Sequence, residues 1–251
     1  MTNSRTIVTG VPGKLASSVA TGLAAAEDVD LVGVFNPNRE GEWEGIPYLT
    51  PAAGEVDVVV ECGPADTVMA NLERWRELDV ATVVGTSGFT GERVRQVEHM
   101  WEGASKACLI VPNFSIGAVL MMRFAEMAAP HLETVEVVER HGDKKPDAPS
   151  GTALGTAARI AAAGGRSVAR GEELAEGARG GDVDGIRVHS LRLAGLVSHQ
   201  EVALTNPGEQ LSIVHQSTSY GSFAAGALAA VRAIGDMSGV SLGLDGVLGI
   251  A

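Results

Sequence analysis

At 251 residues with 45% apolar side chains, the chain can bury one sizeable core or two smaller ones, and its formal charge of −12 disfavours nucleic acid and anionic membrane as partners. No run of eighteen apolar residues and no basic-plus-apolar opening segment occurs, so a soluble cytoplasmic protein is expected. Cys62 and Cys108, the only cysteines, fall at apolar strand-like runs outside any metal-spaced cluster, which predicts reduced core thiols and no metal site.

The first predicted element is a β-rich run at residues 6–10, followed by the glycine turn Gly10-Val-Pro-Gly-Lys-Leu-Ala16 and a helical pattern to Ala26. Gly10, Gly13 and Ala16 fit the G-x-x-G-x-x-A form of a dinucleotide loop, in which small residues let backbone approach a pyrophosphate at a helix start. Gly10, Val11, Pro12, Gly13, Lys14 and Leu15 are therefore candidate cofactor contacts, although Pro12 removes one amide donor. A second strand, residues 29–35, ends at Asn36, where the fingerprint expects an acid for the ribose hydroxyls. The missing carboxylate, with Arg39 close behind, favours a 2′-phosphate and so NADPH over NADH. Asn36-Pro-Asn-Arg39 also has the composition of an ordinary turn.

Further apolar strands are predicted at 56–61, 81–84 and 107–111, separated by helical stretches at 65–78 and 92–101. Alternation of this kind implies a parallel sheet with helices on both faces, an N-terminal Rossmann-like domain of the α/β class. Ligands of such sheets lie beyond the carboxyl ends of the strands. Glu61-Cys-Gly-Pro64, Gly85-Thr-Ser-Gly-Phe89 and Pro112-Asn-Phe-Ser115 stand at those ends.

After Asn113 the pattern changes to a helix at 116–129, a strand from Thr134, a basic loop, and a helix at 152–162. A glycine-rich stretch, 164–185, reads as a mobile or partner-packed loop. Strands follow at 186–192, 198–205 and 210–216, the last two joined by a hairpin turn at Asn206-Pro-Gly-Glu209. These make an open antiparallel or mixed sheet, a second domain of α+β type. A final helix, 221–236, and a glycine-broken tail return to the first domain. Residues 1–113 with 217–251 are thus expected to bind the dinucleotide, and 114–216 to bind substrate and oligomerise. Hinges near Asn113 and Ser217 are expected to bring the nicotinamide to the substrate.

The chemistry concentrates where the Thr134 strand gives way to the 152–162 helix. Arg140, His141, Lys144 and Lys145 gather within six residues, just before Ser150 at a helix N-cap position. The amides that follow Ser150 and the helix dipole favour an anion such as a carboxylate. Arg140, Lys144, Ser150, Gly151 and Thr152 are accordingly candidate contacts for a small acidic molecule, with His141 as proton donor and Lys145 as a charge clamp. The other histidines show no H-E-x-x-H or paired ligand spacing.

The string His-x-x-x-Lys-x-Asp-Ala-Pro-Ser-Gly-Thr-Ala, which here spans His141 to Ala153, closely resembles the signature of the dihydrodipicolinate reductase (4-hydroxy-tetrahydrodipicolinate reductase) family of bacterial lysine biosynthesis. The resemblance implies NAD(P)H-dependent reduction of a cyclic unsaturated imine dicarboxylate at ring C4, with His141 giving the proton, Lys145 stabilising charge, and Gly151 with Thr152 holding a carboxylate. It also implies cofactor contacts at Gly85, Thr86, Ser87, Pro112, Asn113 and Phe114, and a homotetramer formed by packing of the second-domain sheets. The family motif usually has a second histidine where this chain has Gly142, so Gly142→His is expected to tighten dicarboxylate binding. The residues themselves also admit reduction of a different cyclic imine or enamine acid, or a non-catalytic nicotinamide-cofactor-binding protein.

Overall fold

The computed structural model describes residues 3–168 and 171–250. In chain order its elements are β1 (Ser4–Thr9), α1 (Lys14–Ala24), β2 (Val29–Phe35), β3 (Glu42–Trp43), β4 (Ile46–Pro47), β5 (Val58–Glu61), α2 (Val68–Glu77), β6 (Ala81–Val84), α3 (Gly91–Met100), β7 (Cys108–Ile110) and α4 (Ile116–Ala128). They continue with β8 (Thr134–His141), α5 (Gly151–Ala162), β9 (Gly181–Val183), β10 (Ile186–Arg192), β11 (Ser198–Asn206), β12 (Glu209–Ser217), α6 (Ala224–Ile234) and β13 (Val240–Leu242). The chain divides into two compact units, one running up to Ile116 and resuming at Tyr220, the other Gly117–Ser219. Among the described residues no helix is long and apolar enough to cross a membrane.

The first unit is built on a parallel sheet of order β13-β7-β6-β5-β1-β2. All four residues of β5 and of β6 are buried, as expected for strands with helices on both faces. Ile7, Val59, Leu72, Trp75, Val84 and Ile110 form its core, and the Trp75 ring meets Phe35 edge-on at 5.5 Å. Thr90 caps α3 by accepting from the Arg93 amide. The tail read as glycine-broken supplies the edge strand β13. Its three residues sit between Gly239 and Gly243, both at positive φ, and so are too short for a periodic signal.

The second unit holds a mixed sheet of order β12-β11-β8-β10-β9, in which β8 and β10 are parallel and the other pairs antiparallel. From Thr134 to Arg140 β8 alternates in burial, and Val135 and Val137 pack with Val188, Val202 and Leu204 beneath Ala153, Ala157 and Ile160 of α5. Helices α4 and α5 both contribute to this cluster, and among the described residues the opposite face of the sheet bears Val138, Arg140, His189 and Leu191 without a helix of its own unit. The expected hairpin joins β11 to β12, with Gly208 at φ +87° after Pro207. The stretch read as a loop at 164–185 is only partly one. Residues 169 and 170 lie outside the described residues, whereas β9 pairs with β10 through Asp184 and Gly185, both at positive φ. That is an Asp-Gly hairpin turn of the kind that matches strand twist.

Candidate active site

In the first unit the turn after β1 is shaped by close backbone approach. Gly10 has φ +84°, its amide donates to Phe35 O at 3.0 Å, and a Cβ here would stand 2.4 Å from Cys62 O. Gly13 is the N-cap of α1, with no acidic residue in the first turn, and its N–H donates to Gly10 O at 2.8 Å. The peptide between Val11 and Pro12 is cis. Pro12, Gly13 and Lys14 are exposed, Leu15 is half-buried, and Lys14 Nζ lies 5.6 Å over the Tyr220 ring. These small residues, an exposed turn and a helix start fit a pyrophosphate.

Two of the expected cofactor residues serve this turn from within. Val11 is fully buried, and its carbonyl accepts from Asn36 Nδ2 at 2.8 Å while Asn36 Oδ1 takes the Asn38 N–H at 3.0 Å. The Asn36 amide is therefore spent on the turn, and the exposed Arg39 follows it, its N–H donating to Asn36 O at 3.1 Å. At the next strand end, Thr86 is buried and its hydroxyl donates to Gly63 O at 2.8 Å, while Ser87 is exposed. Gly85 and Phe114 pack together, since a Cβ on Gly85 would lie 2.2 Å from the Phe114 ring, and Pro112 is exposed beside half-buried Asn113.

Glu61 opens the turn expected at the end of β5, and the structure gives it a bracing role. Its carboxylate is fully buried, accepting from Gly63 N at 2.8 Å, Asn71 Nδ2 at 3.2 Å and Trp75 Nε1 at 2.8 Å, and so it fixes the Cys62-Gly63-Pro64 turn. Cys62 lies just past β5 and is half-buried, Cys108 is in β7, and both are free thiols. Burial pushes both thiols well above their ordinary range, and the Glu61 carboxylate adds to this at Cys62.

In the second unit, strand periodicity decides which of the clustered residues meet. Glu139 and His141 project from the α5 face of β8, two residues apart, whereas Arg140 projects from the other face and stands opposite His199 on β11. The structure thus sets Arg140 apart from His141. Glu139 is fully buried, and its Oε2 bonds His141 Nδ1 while its Oε1 accepts the Ser150 N–H at 3.3 Å. Arg192, at the end of β10, donates Nη1 to Glu139 Oε2 at 3.0 Å and places Nη2 2.9 Å from Oε1. Burial raises the Glu139 pKa, but hydrogen bonds from His141, Arg192 and Ser190 outweigh it and hold the carboxyl at about 2. No protein partner is found at His141 Nε2 among the described residues.

Ser150 caps α5, with Oγ accepting from Ala153 N at 3.2 Å, and is buried. Gly151 is exposed, with nothing within 4 Å of where a Cβ would stand, and Thr152 follows it. The first turn is tied to the sheet a second time, because Gln200 Nε2 donates to Thr156 Oγ1 at 2.7 Å and that hydroxyl donates to Thr152 O at 2.8 Å. Lys145 Nζ pairs with Asp147 at 2.8 Å, which holds the Asp147 carboxyl below its usual range, and Lys144 is exposed. A cavity of about 150 Å³ is lined by Gly195 to His199 and Gln216 to Thr218. Leu196, part of that lining, comes so near the basic loop that a Cβ on Gly142 would stand 2.9 Å from its carbonyl oxygen.

Glu139 and Arg192 are the residues of this site that sequence reasoning missed. A Glu-x-His pair in an alternating strand places both side chains on one face, and that signal was present. Arg192 carries none, since it arrives through parallel pairing with His141 across 51 residues. Among the described residues no group of three or more His, Cys, Asp or Glu is placed to hold a metal ion.

Two family models match the chain. "Dihydrodipicolinate reductase, N-terminus" covers residues 4–114 and "Dihydrodipicolinate reductase, C-terminus" covers 117–248. The 4-hydroxy-tetrahydrodipicolinate reductase of Nocardia farcinica is 46% identical over 95% of this chain and 96% of its own length. The enzyme of that name from Mycolicibacterium gilvum is 43% identical over 97% and 98%. Among solved structures, the dipicolinate-bound dihydrodipicolinate reductase from Paenisporosarcina sp. TG-14 superposes with a TM-score of 0.81 at 31% identity, covering 97% of this chain and 99% of that one.

Proposed function

The chain belongs to the dihydrodipicolinate reductase family, and from that premise we propose how its own residues divide the work. The activity is that of a 4-hydroxy-tetrahydrodipicolinate reductase, an NAD(P)H-dependent oxidoreductase of lysine biosynthesis. When bound, the reduced nicotinamide supplies a hydride, in this reading to ring C4 of a cyclic imine dicarboxylate whose hydroxyl is lost as water in the overall reaction.

Gly10, Gly13 and the start of α1 receive the pyrophosphate, the Asn36 side chain holds that turn in shape, and Arg39 pairs with a 2′-phosphate. Gly85 to Ser87 and Pro112 to Phe114 border the nicotinamide. In the second unit Gly151 and Thr152, at the Ser150-capped start of α5, take a substrate carboxylate. The dipicolinate held by the Paenisporosarcina enzyme is a dicarboxylate of that kind. Charge that spreads over the ring as hydride adds is stabilised by Lys145, whose ammonium keeps further donors beyond the one given to Asp147. His141, backed at Nδ1 by Glu139, delivers the proton from Nε2. A single observation carries this reading: one buried carboxylate, Glu139, joins the imidazole to the anion-binding helix start. The uncovered face of the mixed sheet supports packing against a second copy, and a homotetramer built on it is the assembly we propose.

Two measurements test the assignments. Arg39→Ala should weaken NADPH binding by at least about tenfold and NADH binding by less than twofold in fluorescence titration, because a charge-assisted bond to phosphate is worth roughly 1.5–3 kcal/mol. An equal loss for both cofactors removes Arg39 from the 2′-phosphate. Gly142→His, expected from sequence to tighten dicarboxylate binding, should instead weaken it. A Cβ there overlaps Leu196 O, a backbone atom, and overpacking of this sort costs about 1–3 kcal/mol. Calorimetry with pyridine-2,6-dicarboxylate should show affinity roughly tenfold lower, and tighter binding would mean that the loop yields.

A further inference from the structure

Behind His141 lies a largely buried ion pair. Glu139 is fully buried and the Arg192 side chain is 18% exposed. Each carboxylate oxygen accepts twice: Oε2 from His141 Nδ1 and Arg192 Nη1, Oε1 from Ser150 N and Arg192 Nη2. The guanidinium goes on to donate to the carbonyls of Asp147 and, at 2.8 Å, Leu191. Among the described residues, apart from the bonds within the pair and those to Leu191 and Ser190 on β10, the contacts fall on the segment from His141 to Ser150.

Buried pairs of this kind seldom stabilise a fold better than apolar side chains of the same volume. Here the bonds reach the imidazole, the backbone beside Lys145's partner Asp147, and the N-cap of α5. We propose that Glu139 and Arg192 are positioning residues for the reduction, which hold the three working parts of the second-unit site in one geometry and fix the tautomer of the proton donor. The inference rests on the reading of His141 as that donor. A carboxylate at Nδ1 keeps the proton there, so in the neutral ring Nε2 is the acceptor that reloads from solvent, and in the cation Nε2–H is the donor. Arg192 keeps the carboxylate charged and turned, so that both oxygens stay aimed, one at the ring and one at the helix start. Neither residue was signalled by the basic cluster around it.

The decisive comparison is between Glu139→Gln, Arg192→Met and the double variant Glu139→Gln/Arg192→Met in the full-length protein. Each single change leaves a buried charge without its partner and should lower the melting temperature. The double change removes both charges and should restore it to within a few degrees of wild type. Its kcat should nonetheless stay about 30-fold or more below wild type, a fraction of what a lost general acid costs, while KM for NADPH changes less than twofold. A double variant that regains both stability and turnover would make the pair merely structural and overturn the proposal. The wild type gives an independent reading through ¹⁵N shifts of the His141 ring, assigned with His141→Gln. The neutral ring should carry its proton on Nδ1, and a ring protonated on Nε2, as free histidine prefers, contradicts the assignment. If instead His141→Gln turns over normally, the donor reading itself fails, which separates the two failures.

Discussion

Replacing His141 by glutamine should lower turnover by roughly two orders of magnitude or more, the usual scale for a lost general acid, with NADPH affinity unchanged. Glutamine keeps a polar group of similar reach that can still bond Glu139 Oε2, so Ser150 and Arg192 should stay in place. It cannot give a proton to carbon. The loss should therefore fall on kcat more than on KM, the pattern of an interaction made chiefly in the transition state. Pyridine-2,6-dicarboxylate, which needs no proton, should bind the variant within a few-fold of wild type. Steady-state kinetics with calorimetry distinguishes this from simple damage to the pocket, which would weaken the dicarboxylate as much as it slows turnover.

Gly10→Ala should be strongly damaging to the first unit. A non-glycine residue at φ +84° pays about 1–2 kcal/mol in backbone strain, and the added Cβ would stand 2.4 Å from Cys62 O. The neighbouring backbone must move, and with it the Gly10 N–H bond to Phe35 O and the Gly13 N–H bond to Gly10 O that present the start of α1. A melting temperature lower by several degrees and NADPH affinity reduced at least about tenfold are expected. Affinity at the wild-type level in a folded variant would show that this turn is not the pyrophosphate cradle.

Much of this architecture was readable because the strands and helices carry regular periods. The buried runs of β5 and β6 and the alternation of β8 are direct images of two-sided and one-sided burial. What escaped was either too short or too distant. β13 has three residues between two glycines, and β9 hid in a glycine-rich stretch although Asp184-Gly185 is a strong hairpin signal. Within the site, clustering in sequence grouped Arg140 with His141, whereas a period of two turns adjacent strand residues to opposite faces. The same period places Glu139 with His141. Asn36 was read by the acid it replaces, and its actual bond to Val11 O depends on where the turn after β1 comes to rest. Arg192 reaches Glu139 only through the β8–β10 register, which no local pattern encodes.

The most direct measurement follows the hydride itself. Freshly formed 4-hydroxy-tetrahydrodipicolinate, supplied by a dihydrodipicolinate synthase, is incubated with this protein and NADPH deuterated at the transferring position, and the product is read by NMR and mass spectrometry. One deuterium at ring C4, formed as NADPH is consumed in equal amount, is the expected result. Deuterium at another carbon would contradict the proposed course of the reaction, and no NADPH consumption with this substrate, in a protein that binds the cofactor, would contradict the function itself.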